Sequence, residues 1–318
     1  MIKKSLLVML LALVSACCMA QNTRELNVLL TPEIGGIQQA IDIRTDDKSK
    51  PVLLFLSGGP GSSMMNNAAS FTNILKNRFT LVQWDQRDAG KTLALNASPQ
   101  QPTVAQMVED TRQVIEFVRK ELRQDKIYLL GSSWGNVLGF EMVKHHPEVL
   151  HAYFAVNPVV SQLASEQELL QTLKRHFKDN AVASRELGEV NIPFNNDEHL
   201  YYLRKWLFYK EGKEFALGPE FKDHFVQWSK TWSPVWNDVM GIDLRATLPS
   251  VRCPVYFFVG KNDIQTATAI TTAYFEQLNA PRKALFFFDH SGHQIHKDEP
   301  EKFQNTIISI VDSANVQQ

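Results

Sequence analysis

Gly131-Ser132-Ser133-Trp134-Gly135 follows the apolar run 127–130 and precedes a helical pattern over 136–146 that Pro147 ends. A strand, a sharp turn and a helix carrying Gly-x-Ser-x-Gly form a nucleophile elbow, in which the central serine sits in a strained conformation with its hydroxyl exposed above the strand ends. The spacing gives that position to Ser133 and makes Ser132 the spacer. Gly131 and Gly135 are then small because strand and helix pass too closely for side chains. A serine-rich turn without chemistry could carry the same five letters, so the reading depends on partners elsewhere in the chain.

A serine hydroxyl needs an imidazole to take its proton and a carboxylate to orient that imidazole. Behind this type of elbow they follow in the order Asp or Glu, then His. The segment FFVGKND supplies Asp263, and FFFDHSGHQIHKDEP supplies His290, His293 and His296. His293 is the choice, because Gly292 before it suits a tight loop that can bring an imidazole over the elbow. Three histidines at every third position could also suggest a metal site. No cluster of carboxylate or thiolate ligands accompanies them, so His290 and His296 are read as loop packing and no metal or cofactor is implied.

Attack on a carbonyl also needs donors for the developing oxyanion. The backbone N–H of Trp134 is one candidate, and Gly59 in FLSGGPGSS, after the run 52–56, is the other. A phosphate-binding reading of that loop fails, since the lysine and Ser/Thr of a P-loop are missing.

The elements that must hold these residues are legible as short apolar runs at 52–56, 80–84, 127–130, 153–156, 255–259 and 284–288, alternating with helical patterns. This alternation predicts an α/β fold with a mostly parallel sheet covered by helices. One covering helix is expected over 104–122, with Thr103 and Gln106 forming a capping box. From 161 to 245 the character changes to charged helical patterns carrying Trp206, Trp228, Trp232 and Trp236, read as a helical insertion between core segments 21–160 and 246–318. Those tryptophans either pack the insertion onto the core or line an apolar pocket.

A chain of 318 residues with 44% hydrophobic content can bury a large core, which argues against disorder. A formal charge of -1 leaves no basic surplus for nucleic acid, so a small peptide or ester is the expected partner. Residues 1–20, MIKKSLLVMLLALVSACCMA, read as an export signal, cut after Ala20 or, at VSAC, processed to a lipid anchor on Cys17. Either outcome places the mature chain outside the cytoplasm, periplasmic, secreted or membrane-anchored. A cut after Ala20 leaves Cys253 alone, without an intrachain disulfide and expected as a buried thiol.

GGPG at 58–61, WDQRDAGKT at 84–92, GSSWG at 131–135, GKND around Asp263 and SGH ending at His293 occur together. In this combination the chain resembles the proline iminopeptidase family of α/β-hydrolases, peptidase family S33. The resemblance covers nearly all of the mature chain and is strongest in the core. It implies an α/β-hydrolase fold with a helical cap and release of an N-terminal residue from small peptides. It also implies that cap carboxylates hold the substrate amine, with Glu166, Glu168, Glu186, Glu189 and Glu198 available. The family usually has histidine before GGPG and glycine after DQR, where this chain has Ser57 and Asp88. A carboxylesterase or lipase-like hydrolase on the same three residues, and a catalytically silent binding protein, are the alternatives.

Overall fold

The computed structural model describes residues 26–315; residues 1–20, read above as an export signal, with Cys17 and Ala20 among them, lie outside these. The strands are β1 (Leu26–Leu30), β2 (Ile41–Thr45), β3 (Val52–Leu56), β4 (Thr80–Trp84), β5 (Ile127–Ser132), β6 (Leu150–Val156), β7 (Val255–Gly260) and β8 (Lys283–Phe288). They form one sheet in the order β1-β2-β4-β3-β5-β6-β7-β8. β1 and β2 pair antiparallel, β2 meets β4 antiparallel, and every later pairing is parallel. A two-stranded hairpin, Glu33–Ile34 with Ile37–Gln38, lies outside this sheet.

All five residues of β3 are buried, as a parallel strand covered on both faces requires. Their alternation assigns them to two cores. Leu53 and Phe55 pack with Phe71, Phe79, Phe303 and Ile307, while Val52, Leu54 and Leu56 join the apolar faces of two helices on the other side. Those helices are α1 (Val104–Leu122), which contributes Met107, Val114 and Val118, and α2 (Gly135–His145), which contributes Val137 and Leu138. Thr103 caps α1 by accepting the Gln106 backbone N–H at 3.1 Å. The expected reciprocal bond is replaced, because the Gln106 side chain bonds the buried Asp110 instead.

Between β6 and β7 lie four longer helices, α3 (Gln162–His176), α4 (Ala181–Glu189), α5 (Asp197–Lys210) and α6 (Pro219–Val239). The neck of this insertion is closed by an antiparallel bridge between Ser161 and Asp243 and by the Leu244 N–H bonding the Val160 carbonyl at 2.8 Å. The second core segment adds two longer helices, α7 (Thr268–Gln277) and α8 (Pro300–Asn315), with a short turn of helix at Ile295–Asp298 between them. Cys253 is a free, buried thiol, pushed up to about 12 by burial.

Candidate active site

β5 ends at Ser132, and Ser133 takes a φ of 52°, the left-handed region that an L-residue occupies only when its surroundings enforce it. Here the enforcement is visible. The Ser133 N–H bonds the Val156 carbonyl at 3.0 Å, and Asn136 Nδ2 reaches the carbonyls of Ser133 and Val156 at 3.1 and 3.0 Å. Asn136 is itself fixed by the Tyr153 hydroxyl at 2.7 Å. Glycine is obligatory on either side of the turn: a Cβ on Gly131 would lie 2.3 Å from the Tyr153 hydroxyl, and one on Gly135 would lie 2.2 Å from the Leu56 carbonyl oxygen.

The structure brings three of the residues singled out in the sequence into a hydrogen-bonded line. His293 Nε2 lies 2.8 Å from Ser133 Oγ, and His293 Nδ1 lies 2.9 Å from Asp263 Oδ2. An ionised carboxylate only accepts, so Nδ1 carries the proton and Nε2 is left to accept from the serine hydroxyl. Burial raises the Asp263 carboxyl, but the charge and hydrogen bond of His293, with bonds from Thr266 and the Gln265 N–H, outweigh this and hold it below its ordinary value. Burial likewise pushes the His293 imidazole down; the charge and hydrogen bond of Asp263 outweigh it and leave the imidazole above its ordinary value, with Glu211 assisting and Arg204 opposing.

The other two histidines do not join this line. His296 is buried edge-on against Phe71, with ring centroids 4.9 Å apart, and burial pushes it down to about 4. His290 is exposed, and its backbone N–H bonds Glu299 at 3.0 Å.

Trp134 stands at the N-terminal end of α2, where the first N–H groups of a helix have no partner within it. Gly59, in the loop after β3, takes a φ of 126° and lines the space over Ser133. Sequence reasoning missed Gly58, which is closer to the serine: a Cβ there would sit 3.4 Å from Ser133 Cβ. It also missed Gln86. The Gln86 amide donates to the Ser57 carbonyl at 3.0 Å and accepts the Trp134 indole N–H at 2.9 Å.

The two departures from the family pattern have local accounts. Asp88, where glycine is usual, has a φ of 54°, and its carboxylate accepts the Ser98 N–H at 2.8 Å; aspartate tolerates this region better than most L-residues. Ser57 supplies its carbonyl to Gln86 and is buried.

A cavity of about 440 Å³ opens over Ser133 and His293, roofed by Phe208, Phe221, Trp228 and Trp236 of the insertion. Trp206 and Trp232 serve packing: Trp206 bonds Glu186 at 2.7 Å, and Trp232 lies against Gly61, where a Cβ would come within 2.4 Å of its indole nitrogen. α6 is tied to the glycine loop, since the Trp228 indole N–H bonds the Pro60 carbonyl at 2.9 Å.

Among the described residues no aspartate or glutamate lines this cavity. Glu168, Glu189 and Glu198 are exposed. Glu186 is buried and bonded to Lys205 and Trp206. Glu166 is fully buried, with its oxygens taken by Gln162 and Arg204.

Residues 47–205 match the family described as "Serine aminopeptidase, S33". "Probable aminopeptidase YbaC" of Bacillus subtilis (strain 168) is 26% identical over 315 residues, covering 91% of this chain and 98% of that protein. "Proline iminopeptidase" of Heyndrickxia coagulans is 24% identical over 274 residues, covering 83% of this chain and 91% of that protein. The crystal structure of proline iminopeptidase from Mycobacterium smegmatis has the same fold, with a TM-score of 0.64 at 17% identity over 91% of this chain and 99% of that one. With half of its length matched to the family and the mostly parallel sheet behind the elbow, the chain belongs to the S33 serine aminopeptidases, as a proline iminopeptidase-like α/β-hydrolase.

Proposed function

We propose that the chain hydrolyses short peptides through an acyl-enzyme on Ser133, releasing the N-terminal residue. The observation that carries this reading is the line Ser133 Oγ, His293 and Asp263, with contacts of 2.8 and 2.9 Å. Ser133 Oγ attacks the scissile carbonyl carbon while His293 Nε2 takes its proton, and Asp263 holds the Nδ1–H and stabilises the imidazolium. The oxyanion is received by the amide of Trp134 and the main chain of the Gly58-Gly59 segment. Collapse of the tetrahedral intermediate breaks the C–N bond, the departing amine takes the proton from His293, and water then deacylates Ser133 by the same base. Residues 1–20, read as an export signal, put this activity outside the cytoplasm.

Labelling by a fluorophosphonate tests the nucleophile. Ser133 is the expected labelled residue; Ser133→Ala abolishes labelling and Ser132→Ala retains it. The reverse pattern sinks the assignment.

A second reading, an esterase on the same three residues, is favoured by the absence of carboxylates among the described cavity residues, since a free amine removed from water needs an anionic partner. Release of free amino acid from unblocked dipeptides separates the two. Turnover of p-nitrophenyl esters without peptide cleavage establishes the esterase.

A further inference from the structure

The charged side chain that the insertion presents to the cavity is a cation. Arg204, on α5, lines the space above Ser133, and its side chain is 15% exposed. Its guanidinium stacks on the Trp236 ring at 5.2 Å from the centroid. Nη1 donates to Glu166 Oε2 at 2.9 Å, and Nη2 donates to Glu166 Oε1. A guanidinium has five N–H donors in a fixed planar fork, so this pairing uses only part of it.

Glu166 is the opposite case. It is buried completely, its Oε1 also accepts Gln162 Nε2 at 2.6 Å, and it does not line the cavity, whereas its partners Arg204 and Gln162 do. An ammonium entering the cavity meets a cation on its wall, with the nearby carboxylate already engaged. Lys297 and His224 also line the cavity, so the remaining ionisable groups on its wall add no negative charge. A carboxylate entering the same space meets unused guanidinium N–H groups in a planar array that matches its two oxygens.

We propose that Arg204 is the anchor of a carboxylate-binding subsite, and that the substrates of this cavity are short peptides held by their C-terminal carboxylate instead of by their α-amine. The proposal rests on the reading of this cavity as the hydrolytic site. Glu166 and Gln162 are positioning residues that hold the fork from behind, and Trp236 fixes its plane. A cavity of about 440 Å³ is suited to a ligand of dipeptide size.

Calorimetric titration of the Ser133→Ala protein, in which turnover cannot interfere, tests this with two probes. N-acetyl-alanyl-glycine keeps the carboxylate and blocks the amine; alanyl-glycinamide keeps the amine and blocks the carboxylate. The first is expected to bind at least ten-fold more tightly. Equal binding, tighter binding of the amide, or no binding of either overturns the subsite.

Replacing the pair by amides, Glu166→Gln with Arg204→Gln, avoids stranding a buried charge and should bring the two affinities within two-fold. Arg204→Lys keeps the charge facing Glu166 but lacks the fork, and should give an intermediate preference. A preference undiminished in both variants removes Arg204 from the assignment. Fluorophosphonate labelling of wild-type Ser133 reads the hydrolytic site separately: labelling with a reversed probe preference sinks the subsite alone, whereas absent labelling with the preference intact sinks the hydrolase reading alone.

Discussion

Gln86 holds Trp134 by its indole N–H at 2.9 Å and, through the other end of the same amide, holds the Ser57 carbonyl at 3.0 Å. One fully buried side chain therefore sets the spacing between the residue after the elbow serine and the strand end that leads into the glycine loop. Gln86→Leu leaves an indole N–H and a carbonyl without partners, each costing about 1–3 kcal/mol. The expected result is a lower melting temperature and a fall in kcat of about ten-fold or more, with KM less affected, because oxyanion donors act in the transition state. Gln86→Glu retains the acceptor for Trp134 but loses the donor to Ser57, and should fall between the two. Steady-state kinetics on one activated ester checks both variants.

The imidazole of His293 must be neutral to accept the serine proton, and its folded pKa lies above the ordinary value of about 6.5. Activity is therefore lost as pH falls through a value higher than 6.5, and is retained above it. Asp263→Asn removes the charge that raises the imidazole, so the acid limb of kcat/KM should move to lower pH, while turnover drops on the order of 10⁴-fold. A pH profile of both proteins decides this, and an unmoved limb excludes Asp263 as the cause.

His296 behaves in the opposite direction. Burial pushes its folded pKa down to about 4, below the unfolded value of about 6.5, so the unfolded chain binds the extra proton between these values. Its contribution to stability is present above about 6.5 and is lost progressively as pH falls toward 4. Unfolding of His296→Phe by denaturant should show a shallower loss of stability over that window than the parent. Equal slopes rule out His296 as the source.

Gly135→Ala places a Cβ against the Leu56 carbonyl oxygen, a backbone atom of a central strand that cannot turn away. Overpacking of this kind should cost about 3 kcal/mol or more, read as a large drop in melting temperature. Gly188→Ala, inside α4 with nothing within 4 Å of the added atom, is the control and should hold or slightly raise the melting temperature, since alanine is the better helix former.

The parts of the molecule legible in the sequence share a physical cause. β3, β4, β5 and β7 are buried over their whole length, so they appear as unbroken apolar runs, and the elbow is encoded within five contiguous residues. β1 and β2 gave no such run: β1 alternates between half-buried and exposed positions, and β2 carries Asp42 and Arg44, which bond each other at 2.7 Å. Asp263 and His293 could be proposed from chain order because each follows a strand. Gln86 and Arg204 could not, since their roles come from partners that only folding brings near: Trp134 for one, Glu166 and Trp236 for the other. The position of Gly58 beside Ser133 was hidden for a different reason, as neighbouring glycines in GGPG cannot be distinguished without the path of the loop.

The Trp228 indole on the Pro60 carbonyl, with Trp232 packed on Gly61, ties the insertion to the glycine loop beside the elbow. A displacement of α6 that carried Trp228 away from Pro60 would break that bond and remove one restraint on the loop. Roof and glycine loop are therefore one mechanical unit, and a change in α6 that loses the Trp228 bond is felt in the loop next to the serine.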